Sequence, residues 1–213
     1  MKEKIPSIIT NSEIMSKGLD DKRIAEAIEG FGYDKEKITR FRQKLSKAKE
    51  SIYSQTIERQ QMLNANQEFF DKRLAVDKVI KNDVRLCSMM FTVNPGLAST
   101  LPAFLSINSY SVWYNGYMTF YKGLLSNSVA LNILAECKFT ADKIKDRIAV
   151  LEEVNGLNAA RGIEKGESEA ATIERDNAVA DLYDERRRIR EFARQALGSD
   201  SQLLEIIGMK VAR

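Results

Sequence analysis

Histidine is absent from this chain of 213 residues, which removes the commonest general base and the commonest transition-metal ligand. Di-iron sites of ferritin-like bundles need Glu-x-x-His pairs, so that class is excluded in its usual form. Proline occurs only three times and cysteine twice. With so few chain breakers, helices are free to run long. Cys87 and Cys137 lie in apolar surroundings and form no CxxC pair, the pattern of two buried thiols in a reducing compartment. No window offers the roughly eighteen uninterrupted apolar residues that span a bilayer, because the richest region is broken by Asn108, Ser109, Ser111 and Asn115. No membrane insertion is expected. The start, Met1-Lys2-Glu3-Lys4-Ile5-Pro6, lacks the apolar run and small-residue cleavage site of a secretory signal, so a cytoplasmic location is expected. There is no Gly-rich phosphate loop, nucleophile elbow or zinc pattern. The expectation is therefore a non-enzymatic protein with no cofactor, no metal and no small-molecule substrate.

What is present is a composition 44% hydrophobic and 30% charged, with 33 basic against 30 acidic side chains and a net charge of +3. This is the balance of a folded, strongly helical chain. It generates no global field that would drive non-specific binding to nucleic acid or membranes. Between Gly32 and Pro95 neither glycine nor proline occurs, a tract that would span about 90 Å as one helix at about 1.5 Å per residue. Its apolar positions Ile38, Phe41, Leu45, Ala48 and Ile52 alternate by three and four, the period of a narrow helical seam. A second tract from about Thr140 to Ala196 carries Ile144, Ile148, Leu151 and Val154, then Ala171, Ala178, Leu182 and Ile189. Each tract has a polar middle, Gln55 to Gln61 in the first and Asn158 to Ala170 in the second. The second includes Gly162 and Gly166, each costing about 1 kcal/mol relative to alanine in a helix. A bend or hairpin would fall there, so two continuous long helices and a folded-back four-helix bundle are both compatible with the pattern.

Sliding the chain against itself by 106 places brings the tracts into register without a gap. Leu19 meets Leu125, Ile28 meets Leu134, Tyr33 meets Phe139 and Lys37-Ile38 meets Lys143-Ile144; further on, Leu45 meets Leu151 and Ile57-Glu58 meets Ile163-Glu164. The punctuation follows, with Val93-Asn94-Pro95-Gly96-Leu97 falling on Ser199-Asp200-Ser201-Gln202-Leu203. The chain thus reads as all-α, with two sequence-similar helical units, long antiparallel helices and a short helical cap. The boundaries expected are an N-terminal arm at 1–16, a first unit at 17–105, an aromatic connector at 106–122 and a second unit at 123–213.

Phe31-Gly32-Tyr33, the run Lys165-Gly166-Glu167 followed by Ala171-Thr172 and Arg175-Asp176, and the closing Gln202-Leu203-Leu204-Glu205-Ile206-Ile207-Gly208 resemble a family of uncharacterised bacterial proteins made of duplicated helical units. The resemblance runs from about Ile24 onward and implies a helical fold without implying an activity or site residues. The first unit departs from it where Arg59, Gln60 and Gln61 replace the glycine and alanine of the polar middle.

Three groups of residues are candidates for function. Tyr110, Trp113, Tyr117 and Phe120 fall on one helical face at spacings of three and four, with Tyr114 and Tyr121 on its flank. They either pack the connector onto the long helices or remain exposed as a contact surface, for which tyrosine and tryptophan are favoured anchors. Apolar ends at Phe104-Leu105 and at Leu203, Leu204, Ile206 and Ile207 are similar candidates. Arg186, Arg187, Arg190 and Arg194 form the densest basic cluster and are weak candidates for anion or nucleic-acid contact. Asp181, Asp184, Glu185 and Glu191 interleave with them, which favours a salt-bridged helix surface. Glu164, Glu167, Glu169 and Glu174 read more naturally as a solvated face paired with Arg161, Lys165 and Arg175 than as a magnesium site. The expectation is a structural or assembly protein that self-associates through helical faces and apolar ends into a filament or other large homo-oligomer. The alternatives are an adaptor binding another protein through the aromatic connector, and, third, a nucleic-acid-associated protein.

Overall fold

Each helix begins where the sequence supplies a cap or a pre-set backbone. In the computed structural model, which describes residues 3–102, 109–199 and 201–211, α1 (Ile5–Gly18) starts with Pro6 in its first turn, where a missing N–H costs nothing. The segment expected as an arm is helical because Ile8, Ser12, Met15 and Gly18, spaced by three and four, give it a face to bury. Helix α2 (Lys22–Glu29) is capped by Asp21, which accepts from the Arg23 amide. Before α3 (Lys35–Met90), Asp34 accepts from the Lys37 amide at 3.0 Å. Asn94 caps α4 (Pro95–Ala98), and Asn127 separates α5 (Tyr110–Ser126) from α6 (Ser128–Ala135) while capping the latter. Helix α7 (Ala141–Leu197) begins behind Thr140 and stops at Gly198, whose φ of 82° ends the helix in the left-handed conformation. The short α8 (Leu203–Ile206) follows. Among the described residues every regular element is a helix.

The polar middles of both tracts are helical: α3 and α7 are single helices of 56 and 57 residues. Gly162 and Gly166 sit inside α7 and do not interrupt it. A displacement of 106 residues relates the start of α2 to that of α6 and the start of α3 to that of α7. It also relates backbone details. Tyr33 N donates to the Ile28 carbonyl and Phe139 N to the Leu134 carbonyl, each at 3.0 Å. The preceding residues, Gly32 and Lys138, both have positive φ, 84° and 61°.

The compact units are not the contiguous stretches 17–105 and 123–213. Unit 1 comprises Met1–Gln60 and Gly166–Arg213, and unit 2 comprises residues 61–165. Because each long helix continues beyond its polar middle, it lends one half to each unit. In unit 1 the first half of α3 runs antiparallel to the second half of α7: Tyr33 meets Phe192 at 5.5 Å between ring centres, and Lys44 meets Glu185 at 2.8 Å. Ile24, Ile28, Phe41 and Ala48 close its core with Leu182, Ile189 and Ala193. In unit 2 the second half of α3 runs antiparallel to the first half of α7, with Asp83 beside Arg147 and Lys72 beside Glu153. Phe69, Ile80, Cys87 and Phe91 close that core with Leu134, Ile144, Leu151 and Val154.

Candidate functional site

In unit 2, α5 spends its aromatic face on the core. Trp113, Tyr117 and Tyr121 are fully buried and Phe120 nearly so. Trp113 Nε1 donates to Asp77 Oδ1 at 2.8 Å, and Asp77 also accepts from Lys81 Nζ at 2.6 Å. The Arg73 guanidinium lies 5.0 Å from the Trp113 ring centre and 5.5 Å from that of Tyr110, within cation–π range. Tyr121 OH donates to Asp83 Oδ2 at 2.7 Å, and Arg147 Nε donates to the same oxygen at 2.8 Å. Burial, followed by the neighbouring Asp83 charge, pushes the Tyr121 hydroxyl above its ordinary pKa. Burial likewise pushes the Cys87 thiol up to about 12. Tyr110 and Tyr114 are half-buried and stack at 5.8 Å, and Tyr110 OH donates to Asn155 Oδ1. Of the two roles open to this stripe, the geometry realises packing: the partners of Trp113, Tyr117, Phe120 and Tyr121 lie within the same unit.

In unit 1 the arginine run divides by direction, as consecutive helical positions must. Arg186 is buried, donating to Glu3 and, at 3.3 Å, to the Ile8 carbonyl, with its guanidinium 5.4 Å from the Tyr183 ring centre. It ties α1 to α7. Arg187 pairs with Glu191 at 3.2 Å, Arg190 is half-buried and Arg194 is exposed. One of the four candidates is therefore a buried anchor, and the remainder do not form a continuous basic track. Next to them, Glu185 accepts from Tyr33 OH at 3.0 Å and Lys44 Nζ at 2.8 Å. Burial opposes its charge, and the hydrogen bonds from Lys44 and Tyr33 outweigh this, holding the carboxyl below its ordinary pKa.

The apolar C-terminal end is mostly docked. Leu204 and Ile207 are buried, Leu203 is half-buried, and Ile206 is exposed. Their contact with α1 is close enough that a Cβ on Gly18 would lie 2.5 Å from the Ile206 carbonyl oxygen. Phe104 and Leu105 lie outside the described residues. Glu167, Glu169 and Glu174 are exposed on α7.

At the 106-residue displacement the two units exchange charged and apolar residues. The trio of buried Asp83 and Tyr121 with half-buried Arg147 in unit 2 corresponds to Ile189, Phe41 and Met15, all in the unit 1 core. Conversely, Glu185, Lys44 and Tyr33 of unit 1 correspond to Val79, Val150 and Phe139 in unit 2. Each unit thus places a charged, hydrogen-bonded trio where the other is apolar. Each carboxylate accepts from a tyrosine and a cation, so neither stands as a free base. For the unit 2 trio the sequence signal was present: Asp83 and Arg147 stand at positions where the other copy carries the core residues Ile189 and Phe41.

Among the exposed side chains of the helices are several large apolar ones. No family model, curated protein or solved structure matches this chain. On α3, within unit 2, Leu63, Phe70 and Leu74 are each about half-exposed, at 48%, 52% and 49%. Their spacing of seven and four puts them on one face of the helix. In unit 1, α1 and α7 border a groove of about 830 Å³ whose lining includes Ile5, Ile8, Val179, Ala180 and Tyr183. A smaller cleft of about 290 Å³ in unit 2 is lined by Val76, Val79, Ile80 and Val150, between Lys72 and Arg147. None of the helices is long and apolar enough to cross a membrane among the described residues.

Proposed function

We propose that this chain is a structural or assembly protein that associates with copies of itself through the exposed faces of its long helices, forming a large homo-oligomer or filament. The observation that carries this reading is the recurrence of large exposed apolar residues at helical spacing, above all Leu63, Phe70 and Leu74. Scattered single apolar residues are normal on a protein surface, whereas a row of them along one helix face is what a partner helix buries. The charged trios of both units are consistent with a scaffold, because they join helices and expose no reactive group. The reading is non-enzymatic and requires no cofactor. Two free thiols, one buried at Cys87 and one half-buried at Cys137, fit a reducing, cytoplasmic setting.

The test is light scattering of the purified chain across a hundredfold concentration range, with electron microscopy of the same samples. Mass that grows with concentration into regular particles or filaments supports the reading. A strict monomer at every concentration refutes it.

A further inference from the structure

The exposed pair Phe70 and Leu74 of unit 2 and the groove between α1 and α7 of unit 1 occupy equivalent positions of the repeat. Phe70, Leu74 and Lys78 on α3 correspond, 106 residues on, to Asp176, Ala180 and Asp184 on α7. In unit 2 the neighbouring space is filled by rings: Tyr110 and Trp113 cover Arg73, and Tyr114 stacks on Tyr110. Phe70, beside the Phe69 ring and the Arg161 guanidinium, and Leu74 each keep about half of their surface in solvent. In unit 1 the corresponding residues are small or short. Val179 stands where Arg73 does, Ala180 where Leu74 does and Ile8 where Tyr114 does, and a groove of about 830 Å³ is left. One face is a ridge and its counterpart a recess.

Their charges are complementary. Lys78 lies one turn beyond Leu74, is exposed and has no ion-pair partner among the described residues. Asp184 lies one turn beyond Ala180 at the rim of the groove, equally exposed and equally without a partner among the described residues. Of the three carboxylates in the groove lining, Glu3 pairs with Arg186 and Asp176 with Arg175, which leaves Asp184 as the one to meet a partner's cation.

We propose that the groove between α1 and α7 in unit 1 receives the Phe70–Leu74 ridge of a second copy of this chain, with Lys78 of that copy meeting Asp184. Such a contact is heterologous: every copy presents one ridge and one recess, so association runs head to tail and does not stop at a dimer. The inference rests on the self-association reading above and specifies which surfaces carry it.

Two variants test it, both at exposed positions. The double substitution Phe70→Glu/Leu74→Glu removes the ridge and keeps the groove, while Ala180→Trp fills the groove and keeps the ridge. Each alone, with wild-type helicity by circular dichroism, stays monomeric where the wild type grows. Mixed in equal amounts, they form a species of twice the monomer mass and nothing larger, since one good contact remains per pair. Lys78→Asp and Asp184→Lys each weaken association by about fivefold, and combining them in one chain restores it. If either apolar variant associates as the wild type does, the contact lies elsewhere and this inference falls while self-association stands. If the wild type itself is monomeric throughout, both fall.

Discussion

Alanine substitution of the glycines separates two environments and fixes a sign for each. Gly156, Gly162 and Gly166 lie inside α7, and a Cβ at any of them meets nothing within 4 Å. Replacing a helical glycine by alanine removes backbone entropy from the unfolded chain and gains about 0.5–1 kcal/mol per site. The triple variant is therefore expected to be about 2 kcal/mol more stable than wild type, which at a urea slope of about 2 kcal/mol per M raises the midpoint by about 1 M. Gly18 is the opposite case. A Cβ there would sit 2.5 Å from the Ile206 carbonyl oxygen and 2.8 Å from Ile207 Cγ2. Backbone on the far side cannot yield as a flexible side-chain tip does, so Gly18→Ala costs about 1–3 kcal/mol in overpacking. Urea unfolding followed by far-UV circular dichroism reads both. A triple variant that unfolds earlier than wild type would show that α7 needs glycine in its middle, and a stabilised Gly18→Ala would show that α1 and α8 are not packed as described.

Two further outcomes follow from the buried charges. Arg147→Phe alone leaves Asp83 buried without its cation and is expected to cost about 3–5 kcal/mol, whereas Asp83→Ile/Arg147→Phe/Tyr121→Met, which copies the residues of unit 1, recovers to within about 1 kcal/mol of wild type; equal instability of the two by calorimetry would contradict the equivalence of the units. The Glu3 carboxyl is held below its ordinary value of 4.5, chiefly by the hydrogen bond from Arg186. A carboxylate with a depressed folded pKa stabilises the fold above its unfolded pKa, and that stability is lost as pH falls through the folded value. Glu3→Gln is therefore expected to lower stability near neutrality by about 3 kcal/mol, because Arg186 stays buried without its anion, and the gap from wild type should close as pH falls below the ordinary value. A gap that is independent of pH would assign the Glu3 effect to packing.

Much of the architecture was legible in the residues because helices announce themselves locally. The seam Ile38, Phe41, Leu45 and Ala48, the caps Asp21, Asp34, Asn94 and Asn127, and the turns at Gly32 and Gly198 act within a few residues of where they stand, so they mark the bounds of α2, α3, α4, α6 and α7, whereas α1 stood in a segment expected as an arm. The 106-residue repeat was legible for the same reason, since it consists of such local signals occurring twice. Continuity through Gly162 and Gly166 was not legible: a cost of about 1 kcal/mol per glycine can be borne once a helix has cores to bury on either side of it, and only tertiary packing supplies those. Nor did the pattern decide the role of the aromatic face of α5, because a stripe reads identically whether it meets a core or a partner. Asp77 and Arg73, far from it in sequence, decided the matter by accepting and capping its rings. Partition of the chain into units was likewise a tertiary outcome. Contacts such as Lys44 with Glu185 and Asp83 with Arg147 join residues 141 and 64 positions apart, and no local signal specifies which distant half-helix will close a given core.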